Sequence, residues 1–579
     1  MQANQVIFVV LRFMRRPILV LITVYAVSMV GWILIPGVDE AGEPQRLSFF
    51  HAFYFLTYTV TTTGFGELPN TFTEAQRMWG IVSLYAGVIA WFYALGSIVG
   101  LVQNREFQRS VAERSFAKRI ARVSEPYFIV CGFGNTGALL TRGLSEAGKT
   151  VVIIDRNPER ISTAMMRDYP SEVMGLCADA RVPEHLIEAG ILKANCKAVV
   201  ALTQDEEVNL KIAVTARLLN AGIWAVTQST SAAHEDTLST LGANVHIVDP
   251  FQTYAKYLGA TIKNPKIHTL NQWLAGTPEA SLDDTLSLPR GEWILCGFGR
   301  MGRWIRDALE AESIATTVIE PDPGPEAKRL ENLVEGRASQ ETLIKAGAKT
   351  AVGVVAGTNN DSDNLSILLN ARALNSDIFF VVRQNKYRNQ VVFRAGKADL
   401  IMMPSMVSAR RILFLLIAPL LKTFFETLRE RDAAEADYID TVIARLQERV
   451  GGTRPRLWTV EIDQHSAAAV AKLSRAGHDV SLAHLISDPV DPGRQLACLP
   501  LVLRRGADQS TTVLPKLDSA VASGDQILFC GRPRAYRLLE ATMNNEYALI
   551  YIMTGQEVTR SVVLRWLAQR FPRLETAGG

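Results

Sequence analysis

Cysteine is scarce and unpatterned in this sequence. The 579 residues contain six, Cys131, Cys177, Cys196, Cys296, Cys498 and Cys530, and none forms a CxxC pair or a metal-ligand spacing. A zinc centre and a disulfide scaffold are set aside, and the thiols are expected to be reduced, in cytosol. Charge of one sign is also lacking. Lysine and arginine number 61 against 58 acids, a net charge of +3, so no footprint for nucleic acid exists. Histidine is sparse too: His185, His234, His246 and His268 stand apart. No paired acid and base or activated nucleophile accompanies them, so an enzyme is not expected.

Two absences are local. Pro17 to Pro36 is twenty residues without a charge, and Met78 to Val102 is twenty-five. Each is long enough to cross a bilayer core of about 30 Å as a helix. Between them, Ser48 to Thr61 is apolar and aromatic but shorter. It reads as a re-entrant pore helix, with the negative end of its dipole toward a cation path. Arg12, Arg15 and Arg16 precede the first run. Arg105, Arg109, Arg114, Lys118, Arg119 and Arg122 follow the second, while the intervening loop holds Asp39, Glu40 and Glu43 against Arg46. Basic residues stay on the cytoplasmic side. The chain is therefore expected to be a multi-pass protein of the cell inner (plasma) membrane with both termini cytoplasmic. The first run is too long for a signal peptide and lacks a small-residue cleavage site. Gly96 and Gly100 in the second run read as helix-packing positions.

The pore helix leads into Thr59-Val60-Thr61-Thr62-Thr63-Gly64-Phe65-Gly66-Glu67. An ion leaving water must recover its hydration energy from oxygens. Successive carbonyls can all face an ion only if the backbone alternates between ordinary and left-handed angles, which glycine adopts at little cost, here at Gly64 and Gly66. The Thr62 hydroxyl can add a further ring of oxygens. The string resembles the selectivity filter of potassium channels, with Thr62, Thr63, Gly64, Phe65 and Gly66 on the filter positions. Phe65 stands where that family usually has tyrosine, Thr63 where it has valine, and Glu67 where aspartate is commoner. The resemblance implies K+ in the filter and a hinge in the second span at Gly87. It also implies a homotetramer, because one chain supplies one quarter of the ring. Thr63 and Phe65 keep a ligand-gated nonselective cation channel as the alternative.

Gln103 to Glu125 is charged and lacks proline and glycine, the composition of a helical linker beside anionic membrane lipid. A different texture begins at Pro126. The strand Tyr127 to Cys131 runs into Gly132-Phe133-Gly134-Asn135-Thr136-Gly137, and Asp155 ends the next strand 23 residues after Gly132. A Gly-x-Gly-x-x-Gly turn that follows a strand, opens a helix and has an acid at this distance is the Rossmann context. The helix N-terminus suits a pyrophosphate. Asp155 suits ribose hydroxyls and would repel a 2′-phosphate, so NAD or an ADP/ATP-type nucleotide is expected before NADP.

The motif then recurs. Gly297-Phe298-Gly299-Arg300-Met301-Gly302 follows the strand Trp293 to Cys296, and Glu320 lies 23 residues after Gly297. Leu186-Ile187-Glu188-Ala189-Gly190 is matched by Leu343-Ile344-Lys345-Ala346-Gly347. Thr203, Asn209, Ala216 and Arg217 are matched by Thr358, Asn364, Ala371 and Arg372 at an offset of 155. The chain holds two copies of one α/β domain.

Tandem Rossmann domains behind a two-span pore resemble the RCK family of potassium-conductance regulators, also called KTN or TrkA-N domains. The resemblance implies a fold class: a membrane α-helical pore module of two spans plus a re-entrant helix, then two tandem Rossmann-like α/β domains and a small α+β C-terminal lobe. The boundaries are pore 1–102, linker 103–125, first domain 126–280, second domain 281–450, C-terminal lobe 451–555 and tail 556–579. Gly524-Asp525 fits a pattern of that lobe, and the tail from Ser561 reads as a helix. The resemblance also implies a cytoplasmic gating ring of eight RCK domains, two from each of four copies, moved by nucleotide. Candidate nucleotide residues are Gly132, Gly134, Asn135, Thr136, Gly137, Asp155, Arg156 and Asp179 in the first repeat. In the second they are Gly297, Gly299, Arg300, Met301, Gly302, Glu320 and Arg337. Arg337 stands where the first repeat has Asp179, and with Arg300 it makes the second site more basic. Calcium is a ligand of some members; here Asp205-Glu206-Glu207 is the candidate hard-cation run, against the plainer reading of a solvated helix start. The remaining rival, a membrane-anchored NAD-dependent oxidoreductase, lacks a substrate domain between the glycine turns.

Overall fold

The computed structural model describes residues 3–38, 43–66, 71–229, 231–240, 242, 244–275, 281–283, 286–434, 437–452 and 454–556. Glu67, Asp39, Glu40 and the tail from 557 onward lie outside these residues, as do the side chains of Arg105, Arg109 and Arg114. The chain divides into two units, Met1–Ser124 and Glu125–Gly579.

In the first unit, α1 (Ala3–Leu34) and α3 (Glu74–Gln103) flank α2 (Phe49–Val60), and α4 (Arg105–Arg122) follows. A two-residue ribbon pairs β1 (Gly37–Val38) with β2 (Pro44–Gln45). Residues Val10–Leu34 of α1 and the whole of α3 are long and apolar enough to cross a membrane. The twelve residues of α2 span only about 18 Å, as expected of a re-entrant helix. It starts at Ser48, whose hydroxyl accepts from the His51 amide, and α3 starts at a Thr73–Gln76 capping box. The long helices close on each other through reciprocal tryptophans. Trp32 is fully buried, donates to Ser83 Oγ at 3.2 Å and lies over Gly80. Trp79 donates to the Ser28 carbonyl at 3.0 Å and fills the notch left by Gly31, where a Cβ would stand 2.1 Å from its ring. Ile22, Ile89 and Phe92 are instead more than half exposed, the faces an apolar solvent or another copy would cover.

In the second unit, β3 (Tyr127–Cys131), β4 (Thr150–Asp155), β5 (Val173–Cys177), β6 (Cys196–Ala201), β7 (Trp224–Gln228) and β8 (Val245–Val248) form one parallel sheet. Their order is β5-β4-β3-β6-β7-β8. The second sheet repeats it: β9 (Trp293–Cys296), β10 (Thr316–Glu320), β11 (Leu333–Glu335), β12 (Gly353–Ala356), β13 (Phe379–Arg383) and β14 (Leu400–Met402) run β11-β10-β9-β12-β13-β14. This is the doubly wound order, with a switch point between the first and fourth strands where ligands bind at the strands' carboxyl ends. The continuous apolar strands are buried, as a sheet covered on both faces requires. Helix pairs follow each sheet, Pro250–Lys263 with Pro265–Leu274, and Pro404–Ile417 with Leu420–Ala434. Leu413 of the second pair presses on Gly143 of the first repeat.

The C-terminal lobe is an antiparallel sheet of β15 (Arg456–Glu461), β16 (Cys498–Arg504), β17 (Thr511–Val513) and β18 (Gln526–Gly531), ordered β15-β18-β16-β17, with helices over it. Asp525 is a scaffold residue: it pairs with Arg505 at 2.9 Å and accepts from the amides of Gly506 and Ala522. All six cysteines are free, and burial pushes the Cys196, Cys296 and Cys498 thiols up to about 12, so these three stay protonated.

The 155-residue offset marks identical hydrogen-bond networks. Asn209 accepts from Thr203 N and Oγ1, both at 2.8 Å, and donates to the Thr203 and Gln228 carbonyls. Asn364 does the same with Thr358 and Arg383. Both amides are buried, and each ties the fourth strand to the fifth. Asn209→Ala and Asn364→Ala are each expected to cost about 3 kcal/mol, because several buried groups lose their partners at once. Urea midpoints of the full chain in detergent check this, and the two losses should be equal within about 1 kcal/mol if the networks are equivalent.

Candidate functional sites

The loop after α2 alternates in backbone hand. Thr62, Gly64 and Gly66 have φ of 62°, 62° and 71°, so every second residue is left-handed, the pattern that turns successive carbonyls to one side. The glycines were legible in the sequence; the left-handed Thr62 was not. A β-branched residue there stores about 1–2 kcal/mol of strain. Bonds from Thr63 N and Gly64 N to the Tyr58 carbonyl hold it, with the Thr61 and Thr63 hydroxyls 3.0 Å apart. Phe65 is two-thirds exposed and lies edge-on to Tyr58, at 6.3 Å between centroids.

The foot of this loop rests on α3. Val60, the last residue of α2, is fully buried, and a Cβ on Gly87 would stand 2.4 Å from its Cγ2. Gly87 is thus a packing hole within an unbroken helix. A Cβ on Gly96 or Gly100 would meet no atom within 4 Å among the described residues.

In the first repeat a cavity of about 240 Å³ lies at the carboxyl ends of β3, β4 and β6. Gly132, Gly134, Asp155, Arg156 and Asp179 line it, with Asn157, Arg160, Arg181, Thr203 and Asp205. Gly132 has φ of 100°, and its Cβ would collide with the Leu202 carbonyl. A Cβ on Gly137 would stand 2.0 Å from the Gly132 carbonyl. Gly134 differs: a Cβ there would meet no protein atom within 4 Å. Turn and helix pack through Gly132 and Gly137, while Gly134 leaves open space before the helix Asn135–Glu146. That space lies before a helix N-terminus with no side-chain cap bond, the end of a helix that favours negative charge. Asn135 and Thr136 are the first turn of that helix.

Asp155 is committed to the turn itself. Its Oδ2 accepts from Phe133 N at 2.7 Å and faces Arg160 at 3.4 Å, while Oδ1 accepts from Asn157 N at 2.8 Å. Asp179 pairs with Arg181 at 2.6 Å, and that hydrogen bond holds its carboxyl below the usual range. Arg160, Arg181 and Asp205 were missed as pocket residues. The sequence signal for Asp205 was its place at the carboxyl end of the fourth strand.

The second repeat keeps the turn. Glu320 Oε2 accepts from Phe298 N at 2.5 Å, Gly302 backs onto the Gly297 carbonyl, and Gly299 faces open space. Its side chains depart. Met301 is buried in the core. Arg337 is exposed, and its carbonyl accepts from Thr342. Arg300 faces Glu206 of the first repeat at 3.4 Å and covers Phe251.

The acidic run does not gather as a cation site. Asp205 caps the helix Glu206–Leu219, accepting from Glu207 N and Val208 N. Glu206 accepts from Ser229 at 2.9 Å. No group of three His, Cys, Asp or Glu side chains able to hold a metal ion occurs among the described residues.

Residues 18–104 match the family described as ion channel, and residues 128–249 and 293–404 each match the TrkA-N domain. An uncharacterised protein of Methanothermus fervidus is 28% identical over 229 residues, 39% of this chain but only 34% of that protein. Potassium channel protein 1 of Methanocaldococcus jannaschii is 27% identical over 232 residues, 40% of this chain and 67% of that protein. A solved structure, the GsuK channel bound to NAD, is 17% identical, covers 93% of this chain and 99% of its own, and has a TM-score of 0.47.

The fit of Val60 into Gly87 sets an expectation for stability. Gly87→Ala should cost about 1–3 kcal/mol by overpacking, and Val60→Ala should recover most of the loss in the double variant. Thermal unfolding of the four forms in detergent measures this. A harmless Gly87→Ala would mean that α2 and α3 are not in contact there.

Proposed function

We propose that this chain, an ion-channel module joined to two TrkA-N domains in the manner of prokaryotic potassium channels with RCK domains, is a potassium-selective channel gated by nucleotide. The observation that carries the pore is the left-handed alternation at Thr62, Gly64 and Gly66 directly after a short apolar helix. Such backbone is tolerated at membrane depth only where protein buries it or it lines a water-filled path. Four copies complete the ring of carbonyls, which makes the protein a homotetramer carrying eight RCK domains on the cytoplasmic side of the inner membrane, with both termini cytoplasmic. TrkA-N is a regulatory domain here, and the protein is not an enzyme.

The ligand site is the first repeat. The open space at Gly134, the helix N-terminus beyond it and the adjacent cavity support an ADP/ATP-type nucleotide or NAD. Gly132, Gly134 and the helix start would hold the phosphates, while Asp179, with Arg156 nearby, would face the adenosine end. Binding there biases the ring between two shapes. The exposed Phe65 and the valine-to-threonine departure at Thr63 favour, as a second reading, a less selective cation pore.

Two variants separate these functions. Gly134→Ala should leave folding intact, since its methyl meets no protein atom, but should weaken ADP or NAD binding about tenfold or more, roughly 1.4 kcal/mol, by filling the phosphate cradle. Calorimetric titration of the detergent-solubilised tetramer reads this, and unchanged affinity would remove the first repeat as the site. Gly64→Ala should abolish K+ flux into liposomes while leaving nucleotide affinity unchanged. Persisting flux would refute the pore assignment.

A further inference from the structure

We propose that Arg300 reports the occupancy of the first pocket to the second repeat, through Glu206; this rests on the reading of that pocket as a nucleotide site. Asp205 lines the pocket and caps the helix Glu206–Leu219, so the first turn of that helix forms part of the pocket wall. Glu206 is the next residue. One oxygen of its carboxylate accepts from Ser229 within the first repeat, and the other faces the Arg300 guanidinium at 3.4 Å. Arg300 begins the helix that follows the second glycine turn. Any shift of the Asp205–Glu206 turn on ligand entry therefore pulls on an element of the other repeat.

A second contact ties the same side chain to the first repeat. The Arg300 guanidinium sits 5.2 Å from the Phe251 ring, and Arg383 of β13 sits 4.9 Å from the same ring. Phe251 is buried at the start of the helix Pro250–Lys263, which Asp249 caps and which packs on the helix Arg300–Glu310. Two second-repeat cations thus grip one first-repeat ring, and Glu206 competes for one of them. The Arg300–Glu206 pair is half exposed, so it is weak alone, as a contact that ligand binding must shift has to be.

The device is absent from the reciprocal position. Asp361 stands at the 155-residue offset from Glu206, but its carboxylate is bound by Asn385, Lys386 and Asn389 of its own repeat. Asn135 replaces Arg300 at the first turn. The start of the matching helix in the second repeat, at Asp361, thus makes no equivalent cross-repeat ion pair among the described residues, and the Glu206–Arg300 contact couples the two repeats reciprocally.

Hydrogen exchange of the full-length protein in detergent, with and without ADP, tests this. ADP should slow exchange in residues 132–146 and also change it by about threefold or more in 300–310. Arg300→Ala should keep the first effect and lose the second, and the exchanged pair Glu206→Arg with Arg300→Glu should restore it. A persisting response in 300–310 of Arg300→Ala, or none there in the unaltered protein despite a response in 132–146, would overturn the proposal. No response in either segment would instead overturn the nucleotide reading beneath it.

Discussion

Close approach of backbone, made possible where a Cβ is missing, is the constraint on which the rest of this structure depends. The carbonyl of Gly132 occupies the place of a side chain at Gly137, and Gly297 and Gly302 repeat the arrangement. Val60 enters the side of α3 at Gly87, and Trp79 enters α1 at Gly31. In each case the gain is contact between two main chains, or between a large side chain and a main chain, that any substituent would push apart by an ångström or more. The same lack of a substituent lets Gly64 and Gly66 take the left-handed angles of the loop. The pore and both regulatory sheets are thus built on one device.

The two repeats show what such a scaffold leaves free to vary. Their strand orders and buried asparagines are the same, and an acid pins each glycine turn, Asp155 in one and Glu320 in the other. Their outer residues are not. Asp179 faces a cavity, whereas Arg337 stands at the corresponding place; Asn135 opens one helix, whereas Arg300 opens the other and reaches across to Glu206. Fold and ligand chemistry are separable here because the first is carried by backbone and buried amides, the second by side chains at strand ends.

Much of this was legible beforehand. Uncharged runs of spanning length, the spacing from Gly132 to Asp155 and the 155-residue offset between Asn209 and Asn364 each have a direct structural cause, so their reading survives in the fold. The roles of particular side chains were less legible. Asp155 fits a ribose acceptor by spacing and lines the cavity, but its bonds from Phe133 N and Asn157 N depend on a loop's path and were not legible. Gly87 reads as a hinge by position along the helix; that its missing Cβ also makes room for Val60, 27 positions earlier in sequence, is visible only in the fold. Asp205-Glu206-Glu207 admits both a cation run and a solvated helix start by composition; in the fold it is a helix start, capped by Asp205. Non-local partners decide such roles, and a linear pattern does not carry them.

The central claim is that Thr62 to Gly66 lines a potassium-selective path whose opening follows nucleotide on the first repeat. Single-channel recording from the reconstituted protein, with potassium on one side and sodium on the other and ADP or NAD added to the cytoplasmic face, tests it most directly. The account predicts a reversal potential close to that of potassium and an open probability that changes with nucleotide. A reversal near zero, or a current indifferent to nucleotide, would contradict it.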